Sequence, residues 1–351
     1  MIMKPILIDG SYGEGGGSIF RYALALSSVT LKPIEIHNIR AKRSNPGLRP
    51  QHLTAAKILA QMTEARFEGL SVGSTRVRFE PKKRKGGRYV FDIGTAGSIS
   101  LIIQAVLPVA LFADRESTIE IRGGTDVRFA PPIDYMRNVF IKNLAFIGVD
   151  HVEISVRRRG HYPRGGGLVT LKVQPIEKIG TISIEVREPV SRISGIAHAV
   201  KLPKHVVERI ISSTKEALRK HGYEDVEIAG EWSPNSHLGP GAGITIFADA
   251  GTILGADSLG ERGKPSEKVG KEAAERLILE LKTKKAFDQH MGDMIIPYLA
   301  MAGGSSLIGV SKYTLHAESN LWLTKQILNA GYEVNKHEDG SASISIRGVG
   351  I

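Results

Sequence analysis

A run of five glycines between residues 9 and 18 is the feature that most restricts how this chain can fold. An apolar segment, 6–8, precedes the run, and apolar side chains at helical spacing follow it from Ile19. A strand, a glycine loop and a helix N-terminus together bring backbone N–H groups to one point, where an anion can bind. Glu14 inside the loop and Arg21 one turn into the helix suit a divalent cation and a phosphate. A tight turn with a surface carboxylate is the alternative, and no Gly-Lys-Ser/Thr ending makes the loop a P-loop.

The pattern of this opening segment recurs along the chain. Residues 92–99 repeat the glycine loop, including a shared Gly-Ser-Ile, and each unit has the approximate order β-α-β-α-β-β. Units of about 80 residues are too long for a solenoid and indicate duplicated subdomains. The alternation predicts an α/β sandwich of sheets covered by helices. Within the first unit we expect segments 77–79 and 89–91 to form a hairpin, with the basic run 82–88 as its solvated tip.

The order of elements changes after residue 181. A strand over 181–188 leads into a block that lacks the opening loop and helix of the repeats. We therefore predict a smaller inserted domain over residues 185–284. Residues 1–184 and 285–351 then form the large domain, which is built of the repeats.

Charge and composition limit the classes of partner. The net charge of +11 favours an anionic partner, which could be nucleic acid, nucleotide phosphates or an acidic membrane surface. The chain has no cysteine, which excludes disulfides, thiolate catalysis and cysteine-based metal sites. The most apolar stretch, 99–113, is interrupted by Gln104 and Pro108 and falls short of the ~20 residues of a membrane span, so it predicts a buried helix. No signal peptide is visible, and we expect a cytoplasmic protein that does not enter a membrane.

Two further segments could carry chemistry. The run 40–52 places four cationic side chains in a loop stiffened by proline and glycine, ahead of a helix N-terminus, which suits phosphate oxygens. The alternative is a solvated basic loop. His316 lies at a strand-to-helix junction, where a lone histidine is more often structural than functional. From the residues alone, the chain is a phosphate-handling α/β protein.

Four motifs together resemble the RNA 3′-terminal phosphate cyclase family, in its archaeal form, over essentially the whole chain. They are the opening loop, the sequence Asn-Pro-Gly-Leu-Arg-Pro-Gln-His at 45–52, Gly-Thr-Ala-Gly-Ser at 94–98, and Arg-Gly-His-Tyr-Pro-Arg-Gly-Gly-Gly at 159–167. Each motif is only moderately specific, but their joint order and spacing are highly specific.

The resemblance implies a fold and a reaction. The fold is a large domain of three βαβαββ repeats with an inserted domain of thioredoxin-like topology. A histidine attacks the α-phosphate of ATP, and the resulting enzyme-bound AMP passes to an RNA 3′-phosphate. The neighbouring 2′-hydroxyl then displaces AMP and closes a 2′,3′-cyclic phosphate. The resemblance therefore implies ATP and RNA with a 3′-phosphate end as substrates, and a divalent cation, Mg²⁺ or Mn²⁺.

The resemblance also implies a role for each candidate residue, with His316 as the nucleophile and Glu14 near the metal. Two positions depart from the bacterial pattern, because His290 replaces a tyrosine expected to stack on adenine and Met294 replaces a glutamine. The sequence leaves open whether the chain forms a homo-oligomer. The implied phosphate and RNA-end residues are Arg21, Arg40, Arg43, Gln51 and His52, and the implied nucleotide-pocket residues are Gln104, Pro131, His290, Asp293 and Met294.

Two other functions compete with this interpretation. A ribosome-assembly protein of the same fold would bind RNA without adenylylation, and such relatives lack the nucleophilic histidine. An enolpyruvyl-transfer enzyme is built from related repeats, but its chemistry does not require that histidine. His316, followed by Asn320, favours the cyclase.

Overall fold

The computed structural model describes residues 4–234 and 237–351. Residues 6–80 form the first sheet with its helices: β1 (Ile6–Asp9), α1 (Gly17–Thr30), β2 (Ile34–His37), α2 (Pro50–Thr63), β3 (Arg66–Glu68) and β4 (Val77–Glu80). The strand order is β1-β2-β4-β3. β1 and β2 are parallel, while β4 runs antiparallel to both β2 and β3.

A second unit follows with the same strand order and directions, β5-β6-β8-β7. The helical stretch after β6 is irregular, because it contains a π-helical turn (Met136–Phe140) and a 3₁₀ turn (Ala145–Ile147). The elements are β5 (Gly87–Asp92), α3 (Ile99–Leu111), β6 (Ser117–Gly123), α4 (Ile133–Tyr135), α5 (Ile141–Leu144), β7 (Val152–Arg158) and β8 (Gly167–Val173).

The third sheet begins with the short strand β9 (Ser183–Ile184), and a separate block then intervenes before the sheet continues. That block forms a sheet of order β11-β10-β12-β13 with two helices packed on it. Its elements are β10 (Arg192–Val200), α6 (Lys204–Arg219), β11 (Val226–Ser233), β12 (Gly241–Ala250), β13 (Thr252–Leu259) and α7 (Ser266–Lys282).

The remaining segment completes the third sheet, which has the order β15-β16-β14-β9. β9 and β14 are parallel and the other pairs antiparallel, as in the first two sheets. The elements are α8 (Gln289–Met301), β14 (Ser305–Val310), α9 (Leu315–Leu328), β15 (Gly331–Lys336) and β16 (Ala342–Arg347). The three sheets have the same strand order and directions, which supports three repeats. The prediction that these repeats are duplicated subdomains stays a prediction.

Two hydrophobic cores hold these sheets together. The larger one joins the first three sheets through α1, which is buried along almost its whole length and packs against α2, α3 and α9. The smaller core runs from Ile193 to Leu281, within the intervening block. The mixed α/β fold class is thereby confirmed. The domain boundaries at residues 185 and 284 stay a proposal, which the separate cores support.

Two neighbouring segments, 185–187 and 284–286, carry the chain into and out of the intervening block. Arg187 N donates to Lys284 O at 3.0 Å, and Ala286 N donates to Glu185 O at 3.2 Å. Lys285 Nζ also lies 3.3 Å from Glu185 Oε1. The block is therefore attached by a two-stranded stalk.

Two sequence-based expectations are wrong. Segments 77–79 and 89–91 do not pair, because β4 belongs to the first sheet and β5 to the second. The basic run between them is a connection tied to the end of α2, where Lys82 N donates to Thr63 O at 2.9 Å and Lys85 N to Met62 O at 2.7 Å. The strand expected over 181–188 is reduced to β9, because the chain turns there into the stalk.

The predicted buried helix over 99–113 is α3, and all but one of its residues are buried. Across residues 4–234 and 237–351, every helix is too short or too polar to cross a membrane.

Candidate active site

One cleft of about 1670 Å³ brings together the residues that the sequence and the resemblance select. Its walls come from the glycine loop and α1, the basic loop and α2, α3, the loop after β6, and the first turns of α8 and α9. β12, β13 and α7 add a wall from the intervening block. The predicted residues in these walls are Glu14, Arg21, Arg40, Arg43, Gln51, His52, Gln104, Pro131, His290, Asp293, Met294 and His316.

Ser319 joins the two ends of the chain at this cleft. Its hydroxyl accepts a hydrogen bond of 3.0 Å from Glu14 N in the glycine loop and donates one of 2.6 Å to Leu315 O. Since Ser319 and His316 share the first turn of α9, this contact fixes the histidine relative to the loop. The N-cap, Thr314, accepts from His316 N at 3.1 Å and from Ala317 N at 3.0 Å, which sets where the helix begins.

His316 is exposed to the cleft and flanked by cationic groups. Desolvation in the cleft, together with Arg21, His290 and Arg43, lowers the pKa of His316 to about 4. The imidazole is therefore neutral at pH 7. A neutral imidazole has a lone pair available for nucleophilic attack.

Arg21 is a buried cation without a carboxylate partner. Arg21 is 8% exposed to solvent, and burial lowers the pKa of its guanidinium to about 10. Among the described residues, no carboxylate lies within 4.0 Å of it, and its Nε has no hydrogen-bond partner. Buried charges are normally paired, so this arrangement is suited to an anionic ligand.

Gly17 lets side chains approach the start of α1. A Cβ at this position would lie 3.0 Å from Arg21 Nη1 and closer still to His52 Nε2. His52 is held by Arg49 N, which donates to its Nδ1 at 3.1 Å. Burial and the cations Arg21, Arg40 and Arg49 lower the pKa of His52 to about 3, so it enters the cleft as a neutral group.

The basic loop folds over the glycine loop. Glu14 forms an ion pair with Arg43, and its carboxylate is nearly buried. Lys42 Nζ donates to Gly13 O at 2.7 Å. Arg40 has a positive φ of 56° and donates through Nη1 to Asn45 O and Gly47 O, each at 2.8 Å. Arg40 therefore supports the shape of the loop as well as lining the cleft.

The predicted nucleotide pocket lies between α3, α8 and α9. Gln104 Nε2 contacts Met294 Sδ at 2.9 Å, so these two residues are direct neighbours. Burial raises the pKa of Asp293 to about 7, although a hydrogen bond from Thr314 opposes the shift. Asn320 Nδ2 donates to Asp293 O at 2.7 Å, which ties α9 to α8.

His290 stands at the mouth of this pocket, in the first turn of α8. Its ring lies edge-on to Tyr135, with centroids 6.2 Å apart, and its backbone N donates to the N-cap Asp288 at 2.9 Å.

Gln51 Oε1 accepts from Ser98 N at 3.2 Å and connects α2 to the start of α3.

Sequence reasoning missed the contribution of the intervening block to this cleft. Asp257 on β13 lines it, and burial raises the pKa of this carboxyl to about 6. Arg262 and Lys264 also face the cleft. A cluster of basic residues just after β13 is visible in the sequence, but a pattern within one segment cannot show that it meets a distant loop.

Comparisons with known proteins agree with this architecture. A family model described as RNA 3′-terminal phosphate cyclase matches residues 12–334. A protein of Korarchaeum cryptofilum with that name is 57% identical over 349 residues, covering 99% of both chains. Proteins of the same name from Staphylothermus marinus and Pyrobaculum aerophilum are 55% and 50% identical, covering 99% and 98% of this chain and 99% of each relative.

Proposed function

This chain belongs to the RNA 3′-terminal phosphate cyclase family, and on that premise we propose that it converts an RNA 3′-phosphate to a 2′,3′-cyclic phosphate with ATP, through a histidine–AMP intermediate on His316. The observation that carries the proposal is the hydrogen bond between Ser319 and Glu14. It supports a shared site, because it joins the helix of His316 to the glycine loop.

In the first step, the neutral imidazole of His316 attacks the α-phosphorus of ATP. A nitrogen–phosphorus bond forms, the bond to the bridging oxygen breaks, and pyrophosphate leaves. The lowered pKa of His316 supports this role, because the imidazole does not have to lose a proton first. Arg21 would bind phosphate oxygens, since its buried guanidinium has no carboxylate partner in the described chain.

In the second step, an oxygen of the RNA 3′-phosphate attacks the enzyme-bound AMP, and the histidine nitrogen leaves. The product is an RNA with AMP joined to its 3′-phosphate. In the third step, the adjacent 2′-hydroxyl attacks the 3′-phosphorus, loses its proton and displaces AMP. Two transfers replace a direct ring closure, in which the leaving group would be far poorer.

The side chains of the cleft support binding of a polyanion. Arg40 and Arg43 lie in its wall beside Gln51 and His52, and we assign them to the phosphates and the RNA end. We assign Gln104, Pro131, His290, Asp293 and Met294 to the nucleoside.

A divalent cation fits beside Glu14. The carboxylate is nearly buried, and among the described residues its charged partner is Arg43 alone. Mg²⁺ and Mn²⁺ prefer oxygen ligands and often bind one or two carboxylates together with substrate phosphates. When bound, such an ion would neutralise triphosphate charge. Glu14 would hold it, and Arg43 would then be free to contact phosphate.

Labelling with ATP that carries ³²P at the α-position tests the proposal. The full chain should acquire a label that is labile in acid and stable in base, and His316→Ala should abolish the label. ATP labelled at the γ-position should give none, because pyrophosphate leaves.

The matched control is His151→Ala, which removes an exposed histidine outside the cleft. It should label like the unaltered chain. Persistent labelling of His316→Ala would remove this residue from the mechanism.

A further inference from the structure

A second cluster of titratable side chains lies where the intervening block meets the second sheet. Asp126 follows β6, and His161 follows β7; the two residues form a parallel bridge. His198 belongs to β10 of the intervening sheet. All three side chains are at least nine-tenths buried. None of them has a role in the proposed reaction.

Three donor atoms in this cluster converge on one point. His161 Nε2 and His198 Nε2 are 3.0 Å apart, and each is 3.9 Å from Asp126 Oδ2. The point equidistant from three atoms at these separations lies about 2.1 Å from each of them, which falls within the usual zinc–nitrogen and zinc–oxygen distances of about 2.0–2.2 Å. The two Nε2 atoms also lie within hydrogen-bond distance of each other, and the same spacing of the three donor atoms accommodates a metal ion.

The protonation states suit metal binding. Burial lowers the pKa of both histidines, so each imidazole is neutral. Burial raises the pKa of the Asp126 carboxyl, but the Arg159 guanidinium and a hydrogen bond from the Thr125 hydroxyl oppose this shift. Its second oxygen, Oδ1, has no hydrogen-bond partner among the described residues.

The side chains around the cluster include more carboxylates than guanidinium groups. Arg159 is the shared partner of three carboxylates, with distances of 3.3 Å to Asp126, 2.7 Å to Asp134 and 2.8 Å to Glu231. Arg137 Nη2 also lies 3.9 Å from Asp134 Oδ1, so two guanidinium groups face three carboxylates. A cation would balance the excess.

Glycines on β12 make space for the two imidazole rings. A Cβ at Gly241 would overlap the ring of His161, and one at Gly243 would lie 3.1 Å from His198 Cε1. At these two positions β12 has no side chains, which leaves space for the two rings.

We propose that Asp126, His161 and His198 bind one divalent transition-metal ion, with Zn²⁺ as the best match, and that this ion fastens the intervening sheet to the loops of the second sheet. Two imidazoles and one carboxylate are ligands that Zn²⁺ accepts. The ion is distinct from the cation assigned to Glu14, because the ligands differ. The inference does not depend on the cyclase reaction.

The test uses the full chain carrying Glu14→Ala, stripped with a chelator and titrated with Co²⁺ as a coloured probe. We expect one equivalent to bind with a visible absorption band, which Zn²⁺ then displaces. Zn²⁺ should also raise the thermal midpoint. No visible band and no change in midpoint would overturn the proposal, and this result requires no variant at the cluster.

Variants then locate the site. His198→Gln should weaken binding by about 10-fold or more, while the control His151→Gln should leave it unchanged. Asp126→Asn provides a second variant that keeps the shape of the side chain. Unchanged Co²⁺ binding in the His161→Gln/His198→Gln double variant would overturn the assignment to these residues.

Discussion

Replacing Arg21 with methionine should affect the stability of the fold and the labelling by ATP in opposite directions. The guanidinium is buried, and no carboxylate in the described chain pairs with it. Methionine keeps an apolar stem of similar length and removes the charge. We therefore expect Arg21→Met to stabilise the chain without ligand and to abolish labelling by ATP.

The magnitude follows from the pKa of Arg21, which burial lowers from 12.5 to about 10. A shift of one unit corresponds to about 1.4 kcal/mol, so keeping the buried cation costs on the order of 3 kcal/mol. Because the charged form is the disfavoured one, this cost is present at every pH below the folded pKa, including pH 7. Lost contacts of the guanidinium oppose the gain, and a net of about 1–2 kcal/mol remains.

Thermal unfolding followed by circular dichroism measures the first part. A gain of this size should raise the midpoint by about 1–3 °C, because an unfolding entropy of about 2.1 cal/mol/K per residue over 351 residues gives about 1.4 °C per kcal/mol. ATP should raise the midpoint of the unaltered chain and leave that of Arg21→Met unchanged, because only a ligand that binds the folded state stabilises it.

Arg88→Met is the matched control. Arg88 is exposed on β5, so its replacement should change neither the midpoint nor the labelling. A lower midpoint for Arg21→Met without ligand, or labelling equal to that of the unaltered chain, would refute the reasoning.

Two further predictions concern the histidine and its support. Because desolvation and nearby cations lower the pKa of His316 to about 4, the pH profile of labelling should contain a fall centred near pH 4. Burial raises the pKa of Asp293 to about 7, so a separate change near pH 7 belongs to that carboxyl. A profile without the fall near pH 4 would contradict the environment of His316, provided circular dichroism shows the chain folded. Ser319→Ala should slow labelling by about 10-fold or more, since it releases α9 from the glycine loop, yet cost only about 1 kcal/mol of stability. The control Ser212→Ala, at an exposed serine of α6 outside the cleft, should do neither. An unchanged rate for Ser319→Ala would show that the contact does not position His316.

The sequence predicts the local features of this site well. The glycine run, the basic loop and His316 each lie in short segments with strong turn and helix signals, and the structure brings all three into one cleft. Their roles stay predictions. The buried helix predicted over 99–113 is α3, because a long run of apolar residues without charge can only be accommodated in the core.

Errors arose where pairing is decided by distant contacts. Segments 77–79 and 89–91 have suitable strand composition and spacing for a hairpin, but β4 finds its partners in β2 and β3, and β5 finds its partner in β6. The cluster of Asp126, His161 and His198 was missed for the same reason. Its members come from three segments, and no spacing within one segment reveals it.

The two-stranded stalk has a consequence for how the chain folds. β9 and β14 must pair although more than a hundred residues separate them, and closing so long a loop is slow and entropically unfavourable. The stalk segments 185–187 and 284–286 are hydrogen-bonded to each other. Once the intervening sheet has formed on its own core, the effective loop therefore shrinks to residues 287–306, which contain α8. We expect the intervening sheet to fold early and to bring β9 and β14 close enough to pair.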